Sequence, residues 1–401
     1  MTDNRLAGAD FVRASACILV VVSHVAQRIS ENILLEPQST LKFVVMMGNF
    51  GVAPFFVLSG YLLSRPFWEA LDAGKPMPSL RVYALRRAAR ILPAFYLSMT
   101  IVLLLGLWLL KVKYDPTLLV RYVAGLLLIF DWHWLTWFPV ELNPPLWSIG
   151  CEITSYALLP LFLALLFRFN IRGWPARIPW VVVIALIFGL QLWIVRNLVP
   201  DSYRRSWDFG LVGGAKTWMP NYNPIGFFAI FALGSLAAGI QVRLASLRSG
   251  LFDLLAIAGL VLAGWSISHA YPNPDGYGAG NIPYDFPWFP IGWALILIAV
   301  PSTLYLKRVS DISPIAFIAR ISFGIYIWHY FLMEVARVRW DRDYVYNGMT
   351  EVWPWVWISA AAVLGSVTIA TVSYYFFEAP IIRWARGLEQ RSPPKLAPAT
   401  A

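Results

Sequence analysis

Charge is what this 401-residue chain has least of: Asp, Glu, Lys and Arg make up 13% of it, about half the share found in soluble domains. That scarcity excludes an ordinary water-soluble globule. Its counterpart, 59% hydrophobic residues and a mean hydropathy of +0.61, belongs to a polytopic membrane protein. Cysteine is nearly missing. Cys17 and Cys151 both fall in apolar runs, which provides neither a disulfide framework nor a thiolate metal spacing. Histidine is sparse too, and His24, His133, His269 and His329 are too scattered for a metal site. There is no glycine-rich phosphate loop, no nucleotide fingerprint and no internal repeat. The first apolar run carries Arg13 and His24 and lacks a small-residue cleavage site, so it is not expected to be a removable signal. Acidic residues are outnumbered, giving a formal net charge of +10. In so apolar a chain this reflects basic loops facing the cytoplasm and anionic lipid. Membrane lipid is therefore the expected partner, and nucleic acid is not.

What the chain does have is long apolar runs. Spans of about 17–25 apolar residues read at 8–30, 42–64, 91–110, 146–167, 178–198, 224–240, 252–270, 288–306, 313–335 and 354–378. The expected fold class is an all-α integral membrane protein, a bundle of about ten transmembrane helices. A further stretch, 117–131, is shorter and broken by Arg121, and reads as re-entrant or interfacial. The 65–90 connection holds Arg65, Lys75, Arg81, Arg86, Arg87 and Arg90, which makes it cytoplasmic by the positive-inside rule. The 271–287 connection has Asp275 and Asp285 but no Lys or Arg, and belongs outside. So does 336–353, where Asp341, Asp343 and Glu351 offset Arg337, Arg339 and Arg342. Ten spans with both termini cytoplasmic satisfy these loops. Trp132, Trp134, Trp137, Trp353, Trp355 and Trp357 read as interfacial belts. Residues 1–390 form one membrane-embedded domain, and 391–401, rich in proline and alanine, reads as a disordered cytoplasmic tail.

Ionisable residues inside such spans are functional candidates, because each costs about 2.5–3.5 kcal/mol to insert at mid-bilayer depth. Arg13 and His24 are eleven residues apart, so on a helix they share a face to within about 20° and differ in depth by about 16 Å. Glu152, near the start of a span of opposite direction, comes to a depth similar to that of His24. A histidine beside a carboxylate is a natural proton acceptor, with the carboxylate fixing the tautomer. A packing histidine is the plainer alternative. Arg87 and Arg90 are three apart and project from one side of a helix. They serve first as a topology anchor and alternatively as forked donors to a polyphosphate. The run Asn49–Tyr61 alternates small and aromatic residues, as close helix packing does, or a ligand passage. His329 lies in an aromatic-rich stretch with Tyr326 and either lines a substrate pocket or sits at the interface. Glu378, at the end of the last span, pairs by default with Arg383.

The order of these motifs resembles the acyltransferase-3 family, the membrane O-acyltransferases of bacterial surface polysaccharides, nodulation signals and some macrolides. The likeness runs from Asp10 to Arg383. It rests on Asp10–Arg13 through His24, Gly51–Gly60, Arg87-x-x-Arg90 with Pro93, Leu146–Glu152, Ile321–His329 and Glu378-x-Pro380. Two departures stand out: Ala53–Pro54 where the family usually has an acidic residue, and Ile153 where a second Glu or Gln often follows Glu152. Many members carry an esterase-like domain after the membrane part. This chain stops at residue 401, so a relay through such a domain is expected to be absent or supplied in trans.

The resemblance implies an acyl-CoA donor, most often acetyl-CoA, entering from the cytoplasm with Arg87, Arg90 and Arg13 on its phosphates. No permanently bound cofactor and no metal is expected. His24 becomes the general base on an acceptor hydroxyl and Glu152 its orienting partner. Tyr326, His329 and Trp147 line the substrate site. The acceptor is an exported or lipid-linked carbohydrate, glycan or glycolipid, reached from the outer face of the cytoplasmic (inner) membrane. Direct transfer, an acyl-histidine intermediate and a homo-oligomer all stay open. The competing class is a proton-coupled transporter or flippase, for which inverted repeats would be expected. A non-catalytic envelope component would not need the full set of ionisable residues.

Overall fold

The computed structural model describes residues 7–30, 33, 48, 50–197, 204–270, 282–310 and 312–390. Among these the regular structure is helical, and an isolated parallel bridge pairs Ile29 with Met349. In chain order the helices are α1 (Ala9–Ala26), α2 (Val52–Asp72), α3 (Leu80–Trp108), α4 (Pro116–Leu126), α5 (Trp147–Arg168), α6 (Arg177–Asn197) and α7 (Gly210–Trp218). They continue with α8 (Pro224–Leu244), α9 (Gly250–Ala270), α10 (Trp288–Ala299), α11 (Leu306–Ser310), α12 (Ser313–Arg339), α13 (Val352–Ser373) and α14 (Ala379–Gln390). Local chemistry sets the boundaries. Ser79 Oγ accepts the Val82 N–H at the start of α3, and Asp115 accepts the Thr117 N–H ahead of Pro116. Asn223 Oδ1 accepts the N–H groups of Ile225 and Gly226 at the start of α8.

Among the described residues eight helices are long and apolar enough to cross a membrane: α1, α3, α5, α6, α8, α9, α12 and α13. The two other expected spans differ from their expectation. In place of 42–64 the helix is Val52–Asp72, whose second half carries Arg65, Glu69 and Asp72, and most of 31–49 lies outside the described residues. In place of 288–306 the apolar helix is Trp288–Ser302. The basic 65–90 connection is not a loop either. Arg65 lies in the second half of α2 and Arg81–Arg90 open α3, with only 73–79 between the helices, so the arginines have fixed helical directions. The short α4 folds back along α3, with Tyr96 O–H donating to the Leu126 carbonyl and Thr100 and Tyr122 hydroxyls 2.8 Å apart. Its 11 residues span about 16 Å, half of a hydrocarbon core. The expected tail, 391–401, and most of the 271–287 connection lie outside the described residues.

The most extensive helix contact joins α2 and α8. It depends on glycine at both crossing points: a Cβ on Gly60 would strike the Phe231 carbonyl, and one on Gly234 the Val57 carbonyl. Close packing is thus what the small residues of the Asn49–Tyr61 run provide. Trp68 Nε1–H donates to Ser235 Oγ just below, and Arg177 binds Asp72 through two bonds of 2.7 Å while donating to the Gly239 carbonyl. These ties gather the ends of α2, α6 and α8 at one end of the bundle. At the opposite end, Ser30 N–H donates to the Met349 carbonyl and Asn347 N–H to the Gln27 carbonyl.

Candidate active site

At the basic end a cavity of about 750 Å³, counting the space at its mouth, opens between α1, α2, α3, α5 and α12. Arg13, Arg87 and Arg90 line it, as do Ser59, Glu152, Tyr156 and Tyr326. Five of the residues singled out in the sequence therefore meet on one surface, although they come from four helices. Arg87 and Arg90 reach it from the same side of α3, as their spacing requires. Arg13 lies 3.9 Å from Asp10, a loose contact that keeps its guanidinium available to the cavity. At the inner end Tyr326 donates its hydroxyl to the Pro145 carbonyl, 2.8 Å away, and lies 2.6 Å from Ser148 Oγ. Asn143 Nδ2–H holds this segment to α12 through the Ile327 carbonyl, at 2.8 Å.

His24 and His329 do not line the cavity. His329 lies one turn beyond Tyr326 on α12, about 4.5 Å further along the axis. Its Nε2 is 2.9 Å from Nδ1 of His24, with ring centroids 5.0 Å apart. His24 also meets the ring of Tyr330 edge to face at 5.2 Å. Beyond the pair, Arg28 sits over the Tyr330 ring, donates to Glu334 at 2.8 Å and to the Tyr344 carbonyl at 3.0 Å, and is only 3% exposed. Arg337 takes the other Glu334 oxygen at 2.7 Å.

The expected Glu152–His24 pair is not formed. Glu152 Oε1 accepts from Ser59 Oγ at 2.9 Å and from the Tyr156 hydroxyl, both on the cavity wall, and the partner of His24 is His329. Ser148, not Glu152, is level with Tyr326, and Glu152 lies one turn nearer the basic end whereas His24 lies a turn beyond Tyr326, so the similar depth expected for the two is not found. Trp147 lies away from the cavity, packed among Trp137, Tyr222 and Phe227. Glu378 accepts from Ser373 Oγ at 3.1 Å and not from Arg383. Ser59 belongs to the Asn49–Tyr61 run whose alternative reading is a ligand passage, while Tyr156, Arg28 and Glu334 were not foreseen. Only Arg28 and Glu334, charges next to or within apolar runs, carried a signal that could have found them. Of the other histidines, His133 Nδ1 accepts the Leu135 N–H and His269 stacks on Trp265. Among the described residues no cluster of His, Cys, Asp and Glu is arranged to hold a metal.

Together the fold and site define a polytopic membrane protein whose ionisable groups are organised inside the bundle. The family comparison makes the class specific. The model of the family described as "Acyltransferase domain" matches residues 6–375, and the chain belongs to that family. The chain is 25% identical over 394 residues to O-acetyltransferase OatA of Staphylococcus aureus, covering 94% of this chain and 57% of that protein. It is 24% identical over 395 residues to peptidoglycan O-acetyltransferase OatA of Listeria monocytogenes, covering 93% and 55%. With acyltransferase MdmB of Streptomyces mycarofaciens it shares 28% identity over 183 residues, 44% of this chain and 42% of that one. The chain thus spans little more than half the length of the two OatA relatives. No solved structure matches it.

Proposed function

We propose that this chain is a membrane O-acetyltransferase that takes an acetyl group from acetyl-CoA at its basic end. The acceptor is a hydroxyl of an envelope carbohydrate at the opposite end. The observation that carries the reading is the cavity itself: three arginines at its walls, and a floor at Tyr326 one helical turn short of the His24–His329 pair. Forked guanidinium donors suit the phosphates of a coenzyme A, and the channel suits its extended arm. His24 then accepts the proton of the acceptor hydroxyl as the oxygen attacks the thioester carbonyl. A C–O bond forms, the C–S bond breaks, and the departing thiolate takes the proton back from His24. The products are an O-acetyl ester and free coenzyme A. The positive-inside rule sets the basic end in the cytoplasm of a cell whose inner membrane holds the protein. The names of the two OatA relatives favour a cell-wall glycan as acceptor, peptidoglycan above all.

Calorimetric titration of purified protein in native lipid with acetyl-CoA, followed by transfer to glycan fragments, tests this reading. Saturable binding and ester formation are expected. A protein that binds no acetyl-CoA would remove the donor, and a transporter would release no coenzyme A at all.

A further inference from the structure

We propose that His329 is a positioning residue for His24: it fixes the tautomer that leaves Nε2 of His24 as the proton-accepting nitrogen. The assignment rests on the acyltransferase reading and gives His329 a task other than lining the substrate site. It follows from hydrogen-bond valence. His329 Nδ1 is 2.8 Å from the Tyr326 carbonyl and 3.1 Å from the Ile325 carbonyl. A carbonyl only accepts, so this nitrogen carries the hydrogen. The ring is 1% exposed, and in its neutral form the other nitrogen, Nε2, then holds a lone pair. Nδ1 of His24 faces that lone pair at 2.9 Å, and two lone pairs cannot share such a contact. The hydrogen between them belongs to His24 Nδ1. A neutral His24 is left with its lone pair on Nε2.

The relay thus runs from helix backbone to base: two carbonyls of α12 set His329, and His329, with the Val20 carbonyl one turn back on α1, sets His24. It takes the place that a carboxylate holds in a Ser-His-Asp arrangement, with one difference. Being neutral, His329 orients the ring and shares the Nδ1 proton of the imidazolium without bringing a counter-charge. The charges nearby come from Arg28, Glu334 and Arg337. Arg28 and Arg337 each bind one oxygen of Glu334, and the Tyr330 ring stands between Arg28 and His24. Glu152 is bonded to Ser59 and Tyr156 and takes no part.

Two measurements test the assignment. Magic-angle-spinning NMR of ¹⁵N-histidine protein in lipid reads the tautomers directly, since only four histidines are present and His133→Gln and His269→Gln assign two of them. Both His24 and His329 are expected as Nδ1–H, the minor tautomer in water. Finding His24 as Nε2–H would overturn the proposal whether or not transfer has been detected. The second measurement compares His329→Leu with His329→Gln. Leucine removes the acceptor and should lower kcat on the order of 10²-fold while leaving the acetyl-CoA concentration for half-maximal rate unchanged. Glutamine places a carbonyl oxygen where Nε2 stood and should restore most of the rate. Wild-type turnover by His329→Leu, or a glutamine variant no better than leucine, would also sink the assignment. If the unaltered protein transfers nothing from acetyl-CoA, it is the acyltransferase reading that fails, and the tautomers are still decided by NMR.

Discussion

At the residue scale the site separates into two groups about one helical turn apart, and each makes its own prediction. His24→Ala should lower glycan acetylation by on the order of 10²–10⁴-fold while acetyl-CoA still binds, because the arginines proposed to meet its phosphates are untouched. Near-normal acetylation by a well-inserted variant, measured on purified protein, would exclude His24 as the base. Glu152→Gln makes a different point. Neutralising a carboxylate that oriented His24 would lower kcat by orders of magnitude. Glu152 instead faces the cavity with Ser59 and Tyr156, and an amide keeps those bonds while removing a negative charge from an anion site. The expected result is an altered dependence on acetyl-CoA concentration with kcat largely kept. The spacing of Arg13 and His24 was legible in the sequence because both lie on one helix, where 3.6 residues per turn fixes the face. The partner of His24 was not, because the rotation of α5 and α12 about their own axes is set by tertiary packing.

At the scale of elements, α3 shows how one basic run divides its work. Arg86 turns away from the cavity and holds Glu389 of α14 through two bonds, 2.9 and 2.7 Å, while Arg87 and Arg90 face inward. On a helix neighbouring residues diverge by about 100°, so Arg86 can leave the cavity that Arg87 and Arg90 face. Changing both Arg87 and Arg90 to Lys keeps the positive charge but loses the bidentate fork, so insertion should be normal and the acetyl-CoA requirement should rise. Arg86→Lys should leave that requirement as it is. A double variant indistinguishable from wild type in donor titrations would return the pair to a topology role. The α2–α8 crossing carries the stability prediction. Gly234→Val puts a branched side chain against the Val57 carbonyl, where neither backbone can yield without parting the helices. The expected cost is on the order of 1–3 kcal/mol or more, read as a lower unfolding temperature by tryptophan fluorescence in detergent. An unchanged midpoint would mean that this crossing is looser than drawn.

At the scale of the whole molecule, the hydrogen bonds divide the bundle into two ends, and that division tests the orientation inferred from charge. The Arg86–Glu389 bonds bring α14 to the end where α3 begins, beside the Asp72–Arg177 pair. The 340–349 segment lies at the other end, tied to residues 27–30 through Met349 and Asn347. Charge alone left this segment ambiguous, since it carries arginines on a face expected outside. The structure explains part of that excess, because Arg337 is bound to Glu334. Cysteines introduced at Lys75, Gly387 and Arg342 should therefore respond differently to a membrane-impermeant maleimide on intact cells. Arg342→Cys should be labelled, and Lys75→Cys and Gly387→Cys only after the membrane is opened. Gly387 is suited to this because nothing lies within 4 Å of an added Cβ. Labelling of Lys75→Cys and Gly387→Cys on opposite sides would require an odd number of crossings between them. Among the described residues seven long apolar helices lie between the two positions, so the even count has the shorter Trp288–Ser302 run crossing as well. An odd count needs either that run not to cross or α4, whose 11 residues reach about 16 Å against a hydrocarbon core of about 30 Å, to cross in addition. In the second case α4 would leave α3, breaking the Tyr96–Leu126 and Thr100–Tyr122 bonds. Same-side labelling of the two leaves those bonds, and the even number of crossings, intact.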